Sequence, residues 1–356
     1  MAGQGVPRLT IATIVTSTPM GAERYQGQII DRATGALHET DNRDWRMRHL
    51  AFRSLRAPLP GNRRLPMAWV TGAPASVRRG LGRMLYQGYA VTHRMNLELP
   101  PAPHGDVITL HDVVAWRFPD ESAPVPAAAE EARRAAAVIC VSEFSAQEAV
   151  DLLGIKEPIV VHNGVGERFF DAHPLDEAQR LELGIGPHYV LHAGGAALRK
   201  NLEALAEAWP VIHKARPNLE LVLAGPPHSR RTELFQKLPQ TRLIGRVPDE
   251  VVPGLVAAAA AVVVPSLYEG FGLPVLEAMA AGTPVVAAAT SSLPEVAGDA
   301  ALLVEPTGTA IADGVIAVTA DDPAIAALVR AGRERAQQFT WERSARAHAR
   351  VWASVA

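Results

Sequence analysis

Short apolar runs recur along the chain, each closed by a turn signal and followed by a helical stretch. They lie at Leu9–Val15, Asp106–Leu110, Ala137–Val141, Ile159–Val161, Tyr189–His192, Leu219–Ala224, Val262–Val264, Pro284–Ala288 and Ala301–Val304. A strand that is apolar on both faces needs cover on both, which is the condition of a parallel sheet wound with helices on either side. The expected fold class is therefore α/β, with a doubly wound parallel sheet. The series occurs twice, and 356 residues exceed what one core usually supports. Pro174, Gly184, Gly186 and Pro187 mark a connector before the second series. The expected division is a first domain over 1–172, a second over 173–340, and a last helix over 341–356 that crosses back to the first.

Composition narrows the class further. At 48% hydrophobic and 20% charged residues the chain has neither a disordered nor a collagen-like or coiled-coil composition. The longest apolar run, Leu255 to Val264, is ten residues, half of the roughly 20 a spanning helix needs. The stretch before Pro19 carries no small-residue cleavage pattern, so no export signal is expected and the expected location is the cytoplasm. The single cysteine, Cys140, lies inside an apolar run and reads as a core residue. A net charge of −2 conceals a strongly basic segment. Residues 43–94 hold eleven arginines against one acid, Asp44. That segment reads either as a solvated surface or as a basic face for an anionic acceptor or membrane. No nucleic-acid partner is expected.

In doubly wound sheets ligands bind beyond the carboxyl ends of the strands. The candidates there are the loop after Val15, the pair His111-Asp112, the loop Gly194 to Lys200, and Pro265 to Glu277. None of the GxG triplets has the third glycine of a dinucleotide fingerprint. There is also no phosphate-binding GxxxxGK[ST] loop, no Cys/His cluster with metal spacing and no Asp-x-Asp pair. The strongest local signal is Glu269-Gly270-Phe271-Gly272-Leu273-Pro274-Val275-Leu276-Glu277, directly after a strand. Its glycines let backbone amides approach a ligand, and the helix start offers positive potential to a phosphate. Read singly, Glu277 complements the helix dipole and Glu269 forms an ion pair. Asn201 reads as an N-cap of a helix ending before Pro217.

The segment resembles the Glu-x7-Glu signature of retaining, nucleotide-sugar-dependent glycosyltransferases of family 4, which have the GT-B architecture of two Rossmann-like domains facing a cleft. The resemblance continues through Leu191 to Gly195, Arg199 to Leu202, Leu221 to Gly225, Gly245 to Val247, Ala280 to Val286 and Ser291 to Val296. In the first half it is carried by Gly21 to Tyr25, Thr109 to Val113, Val141 to Ser145 and Asn163-Gly164, while residues 40–100 match nothing.

The resemblance implies that Arg199 and Lys200 hold the donor diphosphate, beside Gly194 and Gly195. It implies that Glu277 takes the ribose hydroxyls, and that Glu269 with Gly270 and the amides of Phe271, Gly272 and Leu273 holds the transferred sugar. His111 then faces that sugar, with Asp112 orienting it or capping the next helix. Val247 meets the base through its backbone, and Asp249 reads either as a guanine acceptor or as a helix N-cap. Gly21, Arg24 and Tyr25 stand where relatives carry an acceptor loop, although Thr18-Pro19-Met20 replaces further glycines. The implied activity is transfer of a hexose from a nucleotide sugar to a glycan, glycolipid or other hydroxyl acceptor, with neither cofactor nor metal. The pattern is nearest to bacterial mannosyltransferases that use GDP-mannose. A UDP- or dTDP-sugar donor, a nucleotide-sugar epimerase and a non-catalytic two-lobed sugar-binding protein are the alternatives.

Overall fold

The computed structural model describes residues 6–16, 21–118 and 121–356. Among these, thirteen strands form two sheets in which every pairing is parallel. The first contains β1 (Arg8–Ile14), β2 (Arg46–Ser54), β3 (Arg63–Leu65), β4 (Val91–Arg94), β5 (Asp106–Leu110), β6 (Ala137–Cys140) and β7 (Ile159–Val160), in the order β3-β2-β1-β4-β5-β6-β7. The second contains β8 (Tyr189–Ala193), β9 (Glu220–Ala224), β10 (Thr241–Gly245), β11 (Ala261–Val264), β12 (Val285–Ala288) and β13 (Leu302–Val304), in the order β10-β9-β8-β11-β12-β13. The α/β doubly wound expectation holds for both sheets. Strands β5, β6, β11 and β12 are buried along their whole length, as their two-faced apolar runs require.

Four strands, β2, β3, β4 and β10, are not expected from the sequence. In β2, Arg46 and Arg48 share a face with the buried Leu50 and Phe52, and the Arg48 guanidinium lies 3.9 Å from the Tyr89 ring centroid. Strand β4 is fully buried although His93 and Arg94 make up half of it. The other two, β3 and β10, are sheet edges with partly exposed side chains.

The chain forms two compact units, Met1–Gly164 with Trp341–Ala356, and Val165–Thr340. The division falls eight residues before the expected 172. Its cause is local: the Val165 amide donates to the Phe339 carbonyl at 3.0 Å, and the Phe169 side chain is buried. Residues 165–172 therefore already belong to the second unit. The last helix, Trp341–Ser354, belongs to the first. It buries Trp341, Ala345, His348, Ala349 and Trp352, one stripe at helical spacing, against the helix Gly21–Thr40 and the strands beneath it. No helix among the described residues is long and apolar enough to cross a membrane.

The basic segment 43–94 is not one face. Arg78 and Arg94 are core residues. The Arg78 guanidinium pairs with Glu131 at 2.7 and 2.9 Å and donates to the carbonyls of Val70, Leu97, Glu98 and Leu99. Arg94 makes two bonds of 2.8 Å to Asp106 and one of 2.7 Å to the Leu99 carbonyl. Arg43 is tied to Asp41 and to the Ala353 carbonyl. The arginines left exposed are Arg46, Arg56, Arg63, Arg64 and Arg83. A buried guanidinium stripped of its carboxylate loses its compensation. Glu131→Ala should therefore lower the stability of the first unit by about 3–5 kcal/mol, measured by urea denaturation.

Candidate active site

The carboxyl end of the second sheet brings three loops together. Strand β8 lies between β9 and β11, so the connections from β8 and β11 run to opposite sides, the switch point at which doubly wound sheets bind ligands. After β8 come Gly194 and Gly195, then a short turn of 3-10 helix, Leu198–Lys200. After β11 come Pro265 to Gly272 and the helix Leu273–Ala281, which has Pro274 in its first turn and Gly282 as its left-handed C-cap. After β12 come Thr290 to Ser292.

Glu269 is where these loops meet. It is only 8% exposed. The Lys200 ammonium donates to its Oε1 at 2.6 Å, the Ser266 hydroxyl donates to the same oxygen at 2.7 Å, and an Arg199 nitrogen stands 3.8 Å from Oε2. Its backbone is held as well: the Glu269 amide donates to the Ser291 hydroxyl at 3.0 Å, and the Ser292 hydroxyl donates to the Glu269 carbonyl at 2.9 Å. The Arg199 and Lys200 turn is docked by the Leu267 amide donating to the Arg199 carbonyl, and by Arg199 donating to the Tyr268 carbonyl. Burial pushes the Glu269 carboxyl up. The Lys200 charge and hydrogen bond, then Arg199 and Ser266, outweigh it and hold the group below the usual carboxylate range. Two cationic side chains, Arg199 and Lys200, thus stand together at the ends of these loops, converging on one carboxylate.

Of the other expected residues in this unit, Gly272 takes φ +99°, and a Cβ there would lie 2.7 Å from Leu293 Cδ2, so the tight entry to the helix depends on glycine. Phe271 is buried edge-on to Phe339, with ring centroids 6.0 Å apart. Leu273 opens the helix, and Glu277 lies one turn on, partly exposed. Val247 and Asp249 lie in the separate loop after β10, two strands from β8. Asp249 is exposed in a turn, its carbonyl accepting from Arg168 at 3.0 Å. It is not a helix N-cap, because the following helix, Val252–Ala257, has Val251 at that position. Asn201 sits at the N-cap position of the helix Leu202–Ala215 but does not cap it with its side chain. Its φ is +54°, and its amide group donates to the Pro265 and Pro306 carbonyls at 3.0 and 2.9 Å, tying the β8 and β11 loops together.

Sequence reasoning missed Ser266, Ser291 and Ser292 as the groups that fix Glu269. The available signal was their position directly after β11 and β12. It also missed Arg231, which is buried beneath the glycine loop and donates to the Gly194 and Pro226 carbonyls. His192, at the end of β8, donates its Nδ1 proton to the Val263 carbonyl at 3.1 Å, while its Nε2 is buried under Gly194 without a partner among the described residues. Burial brings its pKa to about 4.

In the first unit, Gly21, Arg24 and Tyr25 lie in the opening turns of the helix Gly21–Thr40 rather than in a loop, and Thr18-Pro19-Met20 lies outside the described residues. Gly21 is exposed and Arg24 half-buried, but Tyr25 is fully buried. Its hydroxyl lies 2.9 Å from Thr109 Oγ1 and 2.6 Å from His348 Nε2, so it is engaged inside the protein and does not line a surface for an acceptor. His111 follows β5, its ring edge-on to Tyr25 at 4.5 Å between centroids. Asp112 does not bond to it. One Asp112 oxygen accepts from the Val114 amide at 3.1 Å, but the N-cap of the helix Val114–Arg117 is Val113, so Asp112 takes neither expected role. Among the described residues no group of three His, Cys, Asp or Glu side chains is arranged to hold a metal ion.

The Glu269 pair contributes stability that is present above the unfolded carboxyl pKa, about 4.3, and is lost as pH falls through the lower folded value. The stability difference between wild type and Glu269→Gln, about 1–3 kcal/mol, should stay flat from pH 8 to pH 5 and shrink below about pH 4, measured by denaturation across pH.

Comparison with known proteins gives the same reading of the fold. The sequence profile described as "Glycosyl transferases group 1" matches residues 176–335, which include the whole Glu269 cluster. The O-antigen chain mannosyltransferase B of Escherichia coli is 32% identical over 276 residues, 72% of this chain and 72% of that protein. A GDP-mannose-dependent alpha-(1-6)-phosphatidylinositol dimannoside mannosyltransferase of Mycobacterium tuberculosis is 31% identical over 152 residues, 41% of this chain and 39% of that protein. The crystal structure of Anabaena Alr3699/HepE in complex with UDP and glucose superposes with a TM-score of 0.73 at 20% identity, over 98% of this chain and 100% of that one. The chain thus has the GT-B fold, and on the extent of its similarity to the Escherichia coli enzyme it belongs to the group 1 glycosyltransferases.

Proposed function

We propose that the protein is a retaining family 4 mannosyltransferase that moves mannose from GDP-mannose to a hydroxyl of a glycan or glycolipid, without a cofactor or metal. The observation that carries this reading is the Arg199–Lys200–Glu269 cluster, which sets two cationic side chains at the switch point of a doubly wound sheet. Glycosyl transfer leaves a nucleotide diphosphate, and fixed cations stabilise the charge that develops on the departing oxygen. In this reading Arg199 and Lys200 hold the diphosphate beside Gly194 and Gly195. Glu269, Gly270 and the amides of Phe271, Gly272 and Leu273 hold the mannose, together with His111. Glu277 takes the ribose hydroxyls, and Val247 and Asp249 take the guanine.

The bond from the sugar C1 to the diphosphate oxygen breaks as the acceptor oxygen bonds to C1 on the same face. The acceptor proton passes to the leaving diphosphate, so no side chain serves as general base. The donor assignment is supported by the two mannosyltransferase relatives, one named as GDP-mannose-dependent. Gly21 and Arg24 are assigned to the acceptor. The exposed Arg46, Arg56, Arg63, Arg64 and Arg83 are assigned to an anionic acceptor or to the inner face of a membrane, where each contributes about 1 kcal/mol near anionic lipid. On this reading the enzyme works in the cytoplasm.

Thermal-shift titration against GDP-, UDP- and dTDP-sugars tests the donor. GDP-mannose at 100 times its Kd should stabilise the protein by about 2.7 kcal/mol. Preferential stabilisation by a UDP- or dTDP-sugar would replace the donor and leave the family unchanged.

A further inference from the structure

A line of buried polar groups runs from Trp352 on the last helix, through the sheet and Tyr25, back to His348 on the same helix. Trp352 Nε1 lies 3.2 Å from His93 Nδ1, His93 Nε2 lies 2.8 Å from Thr109 Oγ1, and Thr109 Oγ1 lies 2.9 Å from the Tyr25 hydroxyl. The Tyr25 hydroxyl lies 2.6 Å from His348 Nε2, and His348 Nδ1 lies 2.8 Å from the Ser344 carbonyl. All five side chains are buried.

The ends of this line dictate its direction. An indole N–H only donates, so His93 Nδ1 is an acceptor and the His93 proton is on Nε2. A carbonyl only accepts, so the His348 proton is on Nδ1 and the Nε2 of the neutral ring is an acceptor. His93 Nε2–H therefore donates to Thr109, the Thr109 hydroxyl donates to Tyr25, and the Tyr25 hydroxyl donates to His348. Burial favours the neutral form of both rings, holding His93 well below the ordinary histidine value and His348 at about 4. The chain has one proton arrangement and no unpaired link, the condition under which a buried network is rigid.

Tyr25, in the middle of this rigid line, packs against His111. Tyr25 presents its ring to the His111 imidazole at an interplanar angle of 88°. The Ser145 hydroxyl donates to the His111 carbonyl at 3.3 Å. His111 Nε2 is buried and has no hydrogen-bond partner among the described residues.

We propose that Tyr25, Thr109, His93 and His348 are positioning residues that fix the His111 ring for the transferred sugar, with Trp352 setting the direction of their hydrogen bonds. The last helix then serves the reaction as well as the fold. The inference rests on the assignment of His111 to the sugar. It assigns to Tyr25 a different role from the acceptor contact expected from sequence.

Two measurements test it. In the wild-type protein labelled with ¹⁵N-histidine, NMR should find His93 protonated on Nε2 and His348 on Nδ1. The opposite tautomer at either ring overturns the chain. The second measurement is GDP release from GDP-mannose with water as the acceptor, so that the C1–oxygen bond to diphosphate breaks, water bonds to C1 and its proton goes to the diphosphate. Tyr25→Phe and His348→Phe should each lower kcat about 10- to 100-fold with little change in KM. His348→Gln, which can still accept and donate, should recover part of the loss.

In a His111→Ala background, His348→Phe should cost nothing more. A full additional loss there would mean that the line does not act through His111. If His111→Ala itself keeps wild-type turnover, the assignment of His111 fails while the tautomer result stands by itself.

Discussion

Glu269 can be buried at the mouth of the second sheet only because Lys200, Arg199 and Ser266 converge on its carboxylate. Desolvating a lone carboxylate costs several kcal/mol, and the charge-assisted bonds from Lys200 and Ser266 offset it. The rest of the site follows from that requirement. Lys200 must arrive on a tight turn, so the β8 loop is docked onto the β11 loop by Asn201 and the Leu267 amide. The Glu269 backbone must be fixed, so Ser291 and Ser292 reach it from the β12 loop. The left-handed Gly272 then turns the chain directly into a helix against Leu293.

The first unit solves a different problem. Its sheet buries Arg94, His93 and Thr109 on adjacent strands, and each is satisfied by a group from another element: Asp106 for Arg94, Trp352 and Tyr25 for the other two. Two of these partners come from helices far apart in sequence, so the fold of this unit requires residues 341–356 as much as the residues that precede the linker. A buried polar network with every link made specifies a single arrangement more strictly than an apolar core of the same volume.

Much of this was legible in the sequence where physics is local. The boundaries of β5 were read to the residue, and the strand, glycine turn and helix around Glu269 were placed correctly because each depends on its own residues. Strands β2 and β4 were not legible. Arg48, His93 and Arg94 look like surface residues until Tyr89, Trp352, Asp106 and Thr109 are known to meet them. The same blindness makes all eleven arginines of 43–94 read as surface, whether solvated or a basic face, whereas Arg78 and Arg94 are interior. Tyr25 was read as an acceptor contact because its partner His348 lies 323 residues away in sequence. The roles of Ser266, Ser291 and Ser292 are not legible in the sequence, since which hydroxyl reaches the Glu269 carboxylate and which its backbone is decided by loop geometry.

The central claim is that Arg199 and Lys200 of the Glu269 cluster hold a nucleotide diphosphate. Calorimetric titration of GDP into wild type and into Lys200→Ala tests it most directly. Losing one charge-assisted contact should weaken GDP by about 10- to 150-fold, since such a bond is worth roughly 1.5–3 kcal/mol. GDP binding of equal strength to wild type and Lys200→Ala would contradict the account.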